Sequence, residues 1–236
     1  MNPAHPFQPY GIAHLTVIFL TIALPFFFAA LVRWTKSPIT EHIIVGALSL
    51  ILVLNYFVYL SLVRQFGAVS WEQVLPMQLC DWAMVTITVA LLTGRPSWTE
   101  VSYFWGIAGT FQAILTPNLQ VNFPDIRAIS FFVGHGGIVA GVIYLLIARR
   151  FRPTLGSVWR TLAWSQLYLV ATLLVDHLTG VNYGFLLHKP VVASILDYLS
   201  DARWLYIMQL EGLALLFFAI LYAPFALRGR RKRAAS

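Results

Sequence analysis

The sequence predicts an all-α fold, a polytopic membrane helix bundle with seven transmembrane helices, on two observations. Hydrophobic residues make up 59% of the 236 and charged residues only 11%, against roughly 25% charged in soluble domains. The apolar residues also fall into runs near 12–32, 43–63, 74–93, 101–117, 130–148, 160–177 and 204–226, most of them close to the roughly 17–25 residues a bilayer crossing requires. Short polar links join the runs without any Ser/Gly-rich or charged spacer, so residues 1–236 read as one transmembrane domain with a basic C-terminal tail, 227–236.

Each run justifies its helix differently. No Lys or Arg precedes the first run and no small-x-small cleavage pattern follows it, so it is expected to stay as helix one. The second carries Asn55, Tyr56 and Tyr59. The third contains Leu75-Pro-Met-Gln-Leu-Cys-Asp-Trp82, with the chain's single cysteine, Cys80, beside Asp81. The fourth is short and interrupted by Gly106, Gly109 and Gln112, which transmembrane helices tolerate where neighbours pack closely. The fifth holds His135 within Phe131-Phe-Val-Gly-His-Gly-Gly137. The sixth ends on Asp176 and His177, and the seventh places Glu211 about two turns in.

The net charge of +7 sits mostly in two basic clusters flanking apolar runs, Arg149 to Arg160 and Arg228 to Arg233. That placement predicts cytoplasmic retention rather than nucleic-acid binding. With the C-terminus inside, twelve Lys and Arg fall on the inner side and four on the outer, so the N-terminus is expected outside. Trp71, Trp98, Trp159 and Trp204 fall near helix ends, where indoles prefer the interface. The Arg-rich tail is expected to be disordered, with affinity for anionic headgroups.

This topology gives each polar residue a depth, and the polar residues gather toward the outer side. Gln78, Cys80 and Asp81 lie in the first two or three turns expected of helix three, roughly 6–10 Å below its outer end. His135 has a similar depth in helix five. Gln112, Asp176, His177, Glu211, Asn55 and His14 all belong to outer halves, whereas the inner halves are nearly pure Leu, Ile, Val, Ala and Phe. Ionisable groups in a span usually face a bundle interior or water-filled cavity, so an outward-facing polar cavity is expected. Plainer readings stand beside it. A lone membrane cysteine is a small apolar filler, and Gly134, Gly136 and Gly137 permit close packing. Asp176 and His177 sit where helix-end residues sit. Glu211 needs a partner such as His14 or His135, or a proton.

A thiol needs a base to become a nucleophile, and His135 can supply one. Asp81, Asp176 or Glu211 could orient that imidazole. Amides inside a helix are already bonded, so Gln78, Gln112 or Asn55 are the better oxyanion donors. One cysteine excludes an intrachain disulfide and a CxxC metal knuckle. Histidines 14, 135 and 177 with Glu211 lack metal-ligand spacing, so no metal or cofactor is expected.

At Leu75-Pro76-Met77-Gln78-Leu79-Cys80-Asp81, Gly134-His135-Gly136, Asp176-His177 with Gly180 to Leu186, and Lys189-Pro190 leading into Ser194 to Tyr198, the chain resembles the YwaF-type bacterial integral membrane proteins. Eukaryotic relatives of that family include a membrane acyltransferase that remodels ether phospholipids. The resemblance spans most of the chain. It implies a bacterial cell (inner) membrane location, membrane lipids as partners, and an acyl-transfer dyad at Cys80 and His135. The loop 178–203, with Asn182, Tyr183 and Lys189, is then expected to act as a lid or headgroup reader; the plainer reading is an ordinary structured loop with an interfacial helix at Val191–Leu199. Two function classes follow: a lipid acyltransferase or hydrolase using Cys80, or a non-enzymatic receptor or proton-coupled carrier using Asp81, His135, Asp176 and Glu211. A carrier needs polar stepping stones through the inner half, and helices five to seven offer very few.

Overall fold

A computed structural model describes residues 6–66, 70, 74–190 and 195–234, with side chains through 227. Trp71 lies outside the described residues. The helices are α1 (Ile12–Thr35), α2 (Pro38–Phe66), α3 (Leu79–Thr93), α4 (Pro96–Phe104), α5 (Phe111–Leu115), α6 (Ile126–Ala148), α7 (Leu155–Thr179) and α8 (Arg203–Ala234). A π-helical stretch, Trp105–Thr110, joins α4 to α5. Short 3-10 turns cover Tyr183–Phe185 and Ile195–Tyr198. Among the described residues no strand forms; Pro6 and Val121 make an isolated bridge.

Five helices, α1, α2, α6, α7 and α8, are long and apolar enough to cross a membrane. The third and fourth of the seven expected runs give shorter helices. The third yields a 15-residue α3 starting at Leu79 instead of residue 74, about 22 Å long against a hydrocarbon layer of about 30 Å. The fourth is divided by the π stretch, where glycines admit neighbouring side chains: a Cβ at Gly106 would meet Val142 Cγ2 at 2.9 Å. The seventh run continues as helix to Ala234. Its basic tail is thus helical where disorder was expected, since Arg, Lys and Ala are good helix formers.

α6 is the helix on which the others assemble, because its glycines let three partners approach. A Cβ at Gly136 would meet α1 at Thr21 Oγ1 (2.9 Å), one at Gly137 would meet α2 at Leu52 Cδ2 (2.8 Å), and one at Gly141 would meet α3 at Ile87 Cγ1 (2.9 Å). Small residues allow such close helix contacts in membranes, where dispersion rather than the hydrophobic effect drives association. The close-packing reading of these glycines is the structural one.

Basic residues tie one end of the bundle together. Arg33 donates to the Ile147 carbonyl (2.7 Å). Arg149 pairs with Glu41 (3.0 Å) and donates to the Ala90 carbonyl (3.3 Å). Arg160 grips Glu100 through two nitrogens (2.7 and 2.6 Å), and the Ser157 hydroxyl donates to the same carboxylate. Glu100 and Arg160 also line a cleft of about 300 Å³ with Trp164. The signal for this pair was an acid just before run four and a base opening run six at one depth.

At the opposite end the chain enters α3 without a helical turn. Pro76 lacks an N–H and disfavours helix at Leu75, so the peptide groups before Leu79 need other partners. The Met77 N–H donates to the Leu75 carbonyl (2.8 Å) and the Met77 carbonyl accepts from the Tyr168 hydroxyl (3.2 Å). The Gln78 N–H donates to Asp81 Oδ2 (3.0 Å), and Gln78 Oε1 accepts from the Gly184 N–H (3.3 Å). Gln78 is thus the N-cap of α3, not a residue within it.

The loop reaches this break through two glycines with positive φ. Gly180 (φ +71°) caps α7, and a Cβ there would meet open space; Gly184 (φ +59°) lies so close to Tyr168 that a Cβ would sit 2.7 Å from its hydroxyl. Gly180→Ala is expected to cost about 1 kcal/mol for the left-handed conformation. Gly184→Ala adds the clash and should cost about 2–4 kcal/mol. Tyr168→Phe, which strands a part-buried carbonyl, should cost about 1–3 kcal/mol. Thermal unfolding of detergent-purified protein ranks the three, and equal losses at the two glycines would show that the loop does not seat on Tyr168.

Candidate functional site around Cys80 and His135

Helix register brings Cys80 and His135 to one level. Ile87 and Leu91 of α3 face Gly141 of α6, and the two helices run parallel because the α4 to α5 segment returns between them. Cys80 lies seven residues before Ile87, as Gly134 lies seven before Gly141, so both are about 10 Å nearer the same end. The spacing also keeps Cys80 on the stripe of Ile87 and Leu91 that faces α6. Cys80 is half-buried and occupies the second position of α3, beside the amide groups of its first turn. Among the described residues no hydrogen bond joins it to His135.

The histidine has a definite tautomer. Its Nδ1 lies 2.8 Å from the Phe131 carbonyl, and a carbonyl only accepts, so Nδ1 carries the proton. Nε2 is left with its lone pair, accepting from none of the described residues. The ring stacks on Phe131 with centroids 4.1 Å apart. Both contacts come from the preceding turn, which fixes the imidazole before any substrate arrives.

Other expected members take different places. Asp81 caps α3 through Gln78. Asn55 donates to the Ser130 carbonyl (3.0 Å), so its amide is committed between α2 and α6. Gln78 keeps an amide nitrogen that donates to none of the described residues. Gln112 and His177 are exposed, and no contact brings them to Cys80 or His135. Glu211 accepts from Gln166 of α7, not from a histidine. His14 could not have served it. Its Nδ1 accepts the Tyr10 N–H (2.9 Å) and its Nε2–H donates to the Ile114 carbonyl (2.7 Å), using both nitrogens.

Asp176 is buried at 1% exposure. One oxygen accepts the Tyr183 N–H (2.9 Å), while Oδ2 has no partner among the described residues. Asn182 braces the loop, accepting from the Leu187 N–H (2.8 Å) and donating to the His188 carbonyl (2.9 Å). Lys189 donates to the Leu199 carbonyl and to Asp201, each at 2.7 Å. The expected interfacial helix at Val191–Leu199 is corrected to a 3-10 turn at Ile195–Tyr198 in its described part; residues 191–194 lie outside it. Tyr168 escaped the sequence reading. Trp82 and Trp105 close around its ring, with centroids 5.4 and 6.2 Å away. Among the described residues no three His, Cys, Asp or Glu side chains are placed to hold a metal ion.

Comparison with known proteins places the chain. The model of the TMEM164 family matches residues 9–222. An uncharacterized protein of Treponema pallidum (strain Nichols) is 29% identical over 159 residues, 66% of this chain and 64% of that protein. The chain thus spans less than two thirds of that relative's length. No solved structure matches. The matching family carries the TMEM164 description rather than a YwaF one, and its description states no activity. With five apolar helices of membrane-crossing length and a family match over most of its residues, the chain is a multi-pass membrane protein that belongs to the TMEM164 family.

Proposed function

We propose that the chain is a lipid-directed acyltransferase or hydrolase of a bacterial cell membrane, working through Cys80 and His135. The observation that carries this reading is the pairing of levels: a thiol at the start of α3 opposite an imidazole whose Nδ1 proton is held by Phe131, leaving Nε2 as a base. In the reaction, Cys80 passes its proton to His135 Nε2 and the sulfur attacks the carbonyl carbon of an acyl ester. The ester C–O bond breaks, the departing oxygen takes the proton from the imidazolium, and the acyl group stays on sulfur as a thioester. A lipid hydroxyl then gives transfer, and water gives hydrolysis. Gln78, two residues before Cys80 and with an amide nitrogen that donates to none of the described residues, is the side-chain donor this reading assigns to the oxyanion. The α3 N-terminus adds the positive end of its dipole.

The same reading places α3 and the α4 to α5 segment as two further crossings, with the N-terminus outside and the C-terminus in the cytoplasm. Its support is the gathering of Arg33, Arg149 and Arg160 at one end of the bundle, which the positive-inside rule assigns to the cytoplasm. A C-terminal alkaline phosphatase fusion is expected to be inactive; an active one places Cys80 near the cytoplasmic face and overturns the orientation.

Purified protein incubated with radiolabelled phospholipid should carry a hydroxylamine-sensitive thioester on Cys80. Cys80→Ala should abolish turnover, and His135→Gln should lower it by about 10²–10⁴-fold, the usual contribution of a general base. The double variant should be hardly worse than Cys80→Ala, since the two groups act as a unit. Full turnover by Cys80→Ala removes the enzyme reading.

A further inference from the structure

We propose that the cleft between the 187–189 segment and the first turn of α8 binds a phosphate ester, the group shared by phospholipid headgroups and free phosphate. Assigning that group to a lipid rests on the acyl-transfer reading above. The cleft holds about 240 Å³ and is lined by His188, Lys189, Ser200, Asp201, Arg203 and Tyr206. It belongs to the Cys80 end of the bundle, because the Gly184 N–H of the same loop donates to Gln78.

Three features of the lining fit a tetrahedral anion. The first is an orphan. Tyr206 is 3% exposed, yet its hydroxyl has no partner among the described residues, and buried polar groups without partners call for a ligand or water. The second is charge. Among the lining residues two permanent cations, Lys189 and Arg203, stand against one carboxylate, Asp201; Asp197 and Asp176 lie near enough to act on Tyr206 and Arg203 respectively. Arg203 is exposed and makes no hydrogen bond or ion pair among the described residues, leaving its planar fork open to phosphate oxygens. The Asp201 side chain is 96% exposed, and the Lys189 ammonium holds its carboxyl below the usual carboxylate range. A water-facing carboxylate of this kind swings away at little cost, which frees one Lys189 hydrogen for the anion. The third is the start of a 32-residue helix, whose first N–H groups lack intrahelical acceptors.

The walls are braced before a ligand arrives. Asn182 Oδ1 accepts the Leu187 and His188 N–H groups, and Asn182 Nδ2 donates to His188 Nδ1 at 3.0 Å. The same nitrogen lies 3.2 Å from the Lys189 carbonyl, so the ring is held between the two. Opposite, the Ser200 N–H donates to Gln209 Oε1 (2.7 Å), and Lys189 clamps the Leu199 carbonyl. The lid expected of this loop is on this account a fixed headgroup seat.

The test uses full-length Cys80→Ala protein in detergent micelles, so that no turnover intrudes, and calorimetric titration with dihexanoylphosphatidylglycerol, dihexanoylglycerol and inorganic phosphate. The phosphatidylglycerol should bind at least about tenfold more tightly than the phosphate-free diacylglycerol. Arg203→Gln should cost about tenfold or more in that affinity, as loss of a charge-assisted pair does. Tyr206→Phe should weaken it severalfold, and Arg203→Lys should recover part of the loss, all at matched thermal stability. Inorganic phosphate binding with the same Arg203 dependence would support the site with free phosphate as a ligand; no phosphate binding beside tight phosphatidylglycerol binding assigns it to the lipid. Equal affinity for the two lipids, or an Arg203→Gln protein that binds unchanged, overturns the proposal. Thioester formation on the wild-type Cys80 is scored separately, so either reading can fail alone.

Discussion

Inside a hydrocarbon layer every peptide group needs a partner from the protein, since no water is there to supply one. Pro76 makes that constraint acute by ending helical bonding just before the chain's only cysteine. The answer for the peptide groups is a tyrosine hydroxyl from α7 on the Met77 carbonyl and a carboxylate from the first turn of α3 on the Gln78 N–H, while the Gly184 amide of the loop after α7 holds the Gln78 side chain. Much of the rest follows. Tyr168 must stand beside the break, Gly184 must lack a side chain to approach Tyr168, and the loop must fold down onto the bundle. The same break sets Cys80 at a helix start, one residue before the first helical bonds, which the Asp81 and Trp82 amides give to the Gln78 carbonyl.

The second constraint is packing on α6. Stripping side chains from Gly136, Gly137 and Gly141 lets α1, α2 and α3 lie close enough for dispersion to hold them. Glycine in a helix is costly in water, roughly 1 kcal/mol against alanine, and here close contact with three neighbours offsets it. His135 sits among these glycines without joining the contacts they make. Its proton is bonded to its own helix, so the imidazole is satisfied on one side and open on the other.

The apolar runs made the bundle legible in sequence, and helical rise alone put Cys80 and His135 at one depth. Pro76 was legible too; a run of apolar residues hid its consequence, because hydropathy counts side chains and not N–H groups. Pairings between helices were not legible. Glu211 meets Gln166 and His14 meets Ile114 because of rotations about helix axes that spacing within one run cannot fix. The loop was harder still. Asn182 reads as a headgroup candidate by type, whereas its amide braces the loop backbone at Leu187 and His188.

The two ends of the bundle treat their polar groups differently, and the difference bears on function. At the basic end, Glu41 and Glu100 each face an arginine, and Arg33 spends its charge on a helix C-terminus, where the dipole favours it. At the Cys80 end, Asp176 keeps a buried oxygen without a partner and Tyr206 a buried hydroxyl, while Arg203 makes no hydrogen bond or ion pair among the described residues. Unpartnered hydroxyls also occur elsewhere, at Ser49 and Thr161 and, beside Glu41 and Arg149 at the basic end, at Tyr144, but a hydroxyl is cheaper to strand than a carboxylate, so the difference lies in Asp176. A fold selected for stability alone would pair or replace such a carboxylate. An arrangement that leaves it half-satisfied beside an open arginine and a thiol at a helix start is one that keeps its polar groups for something outside the chain.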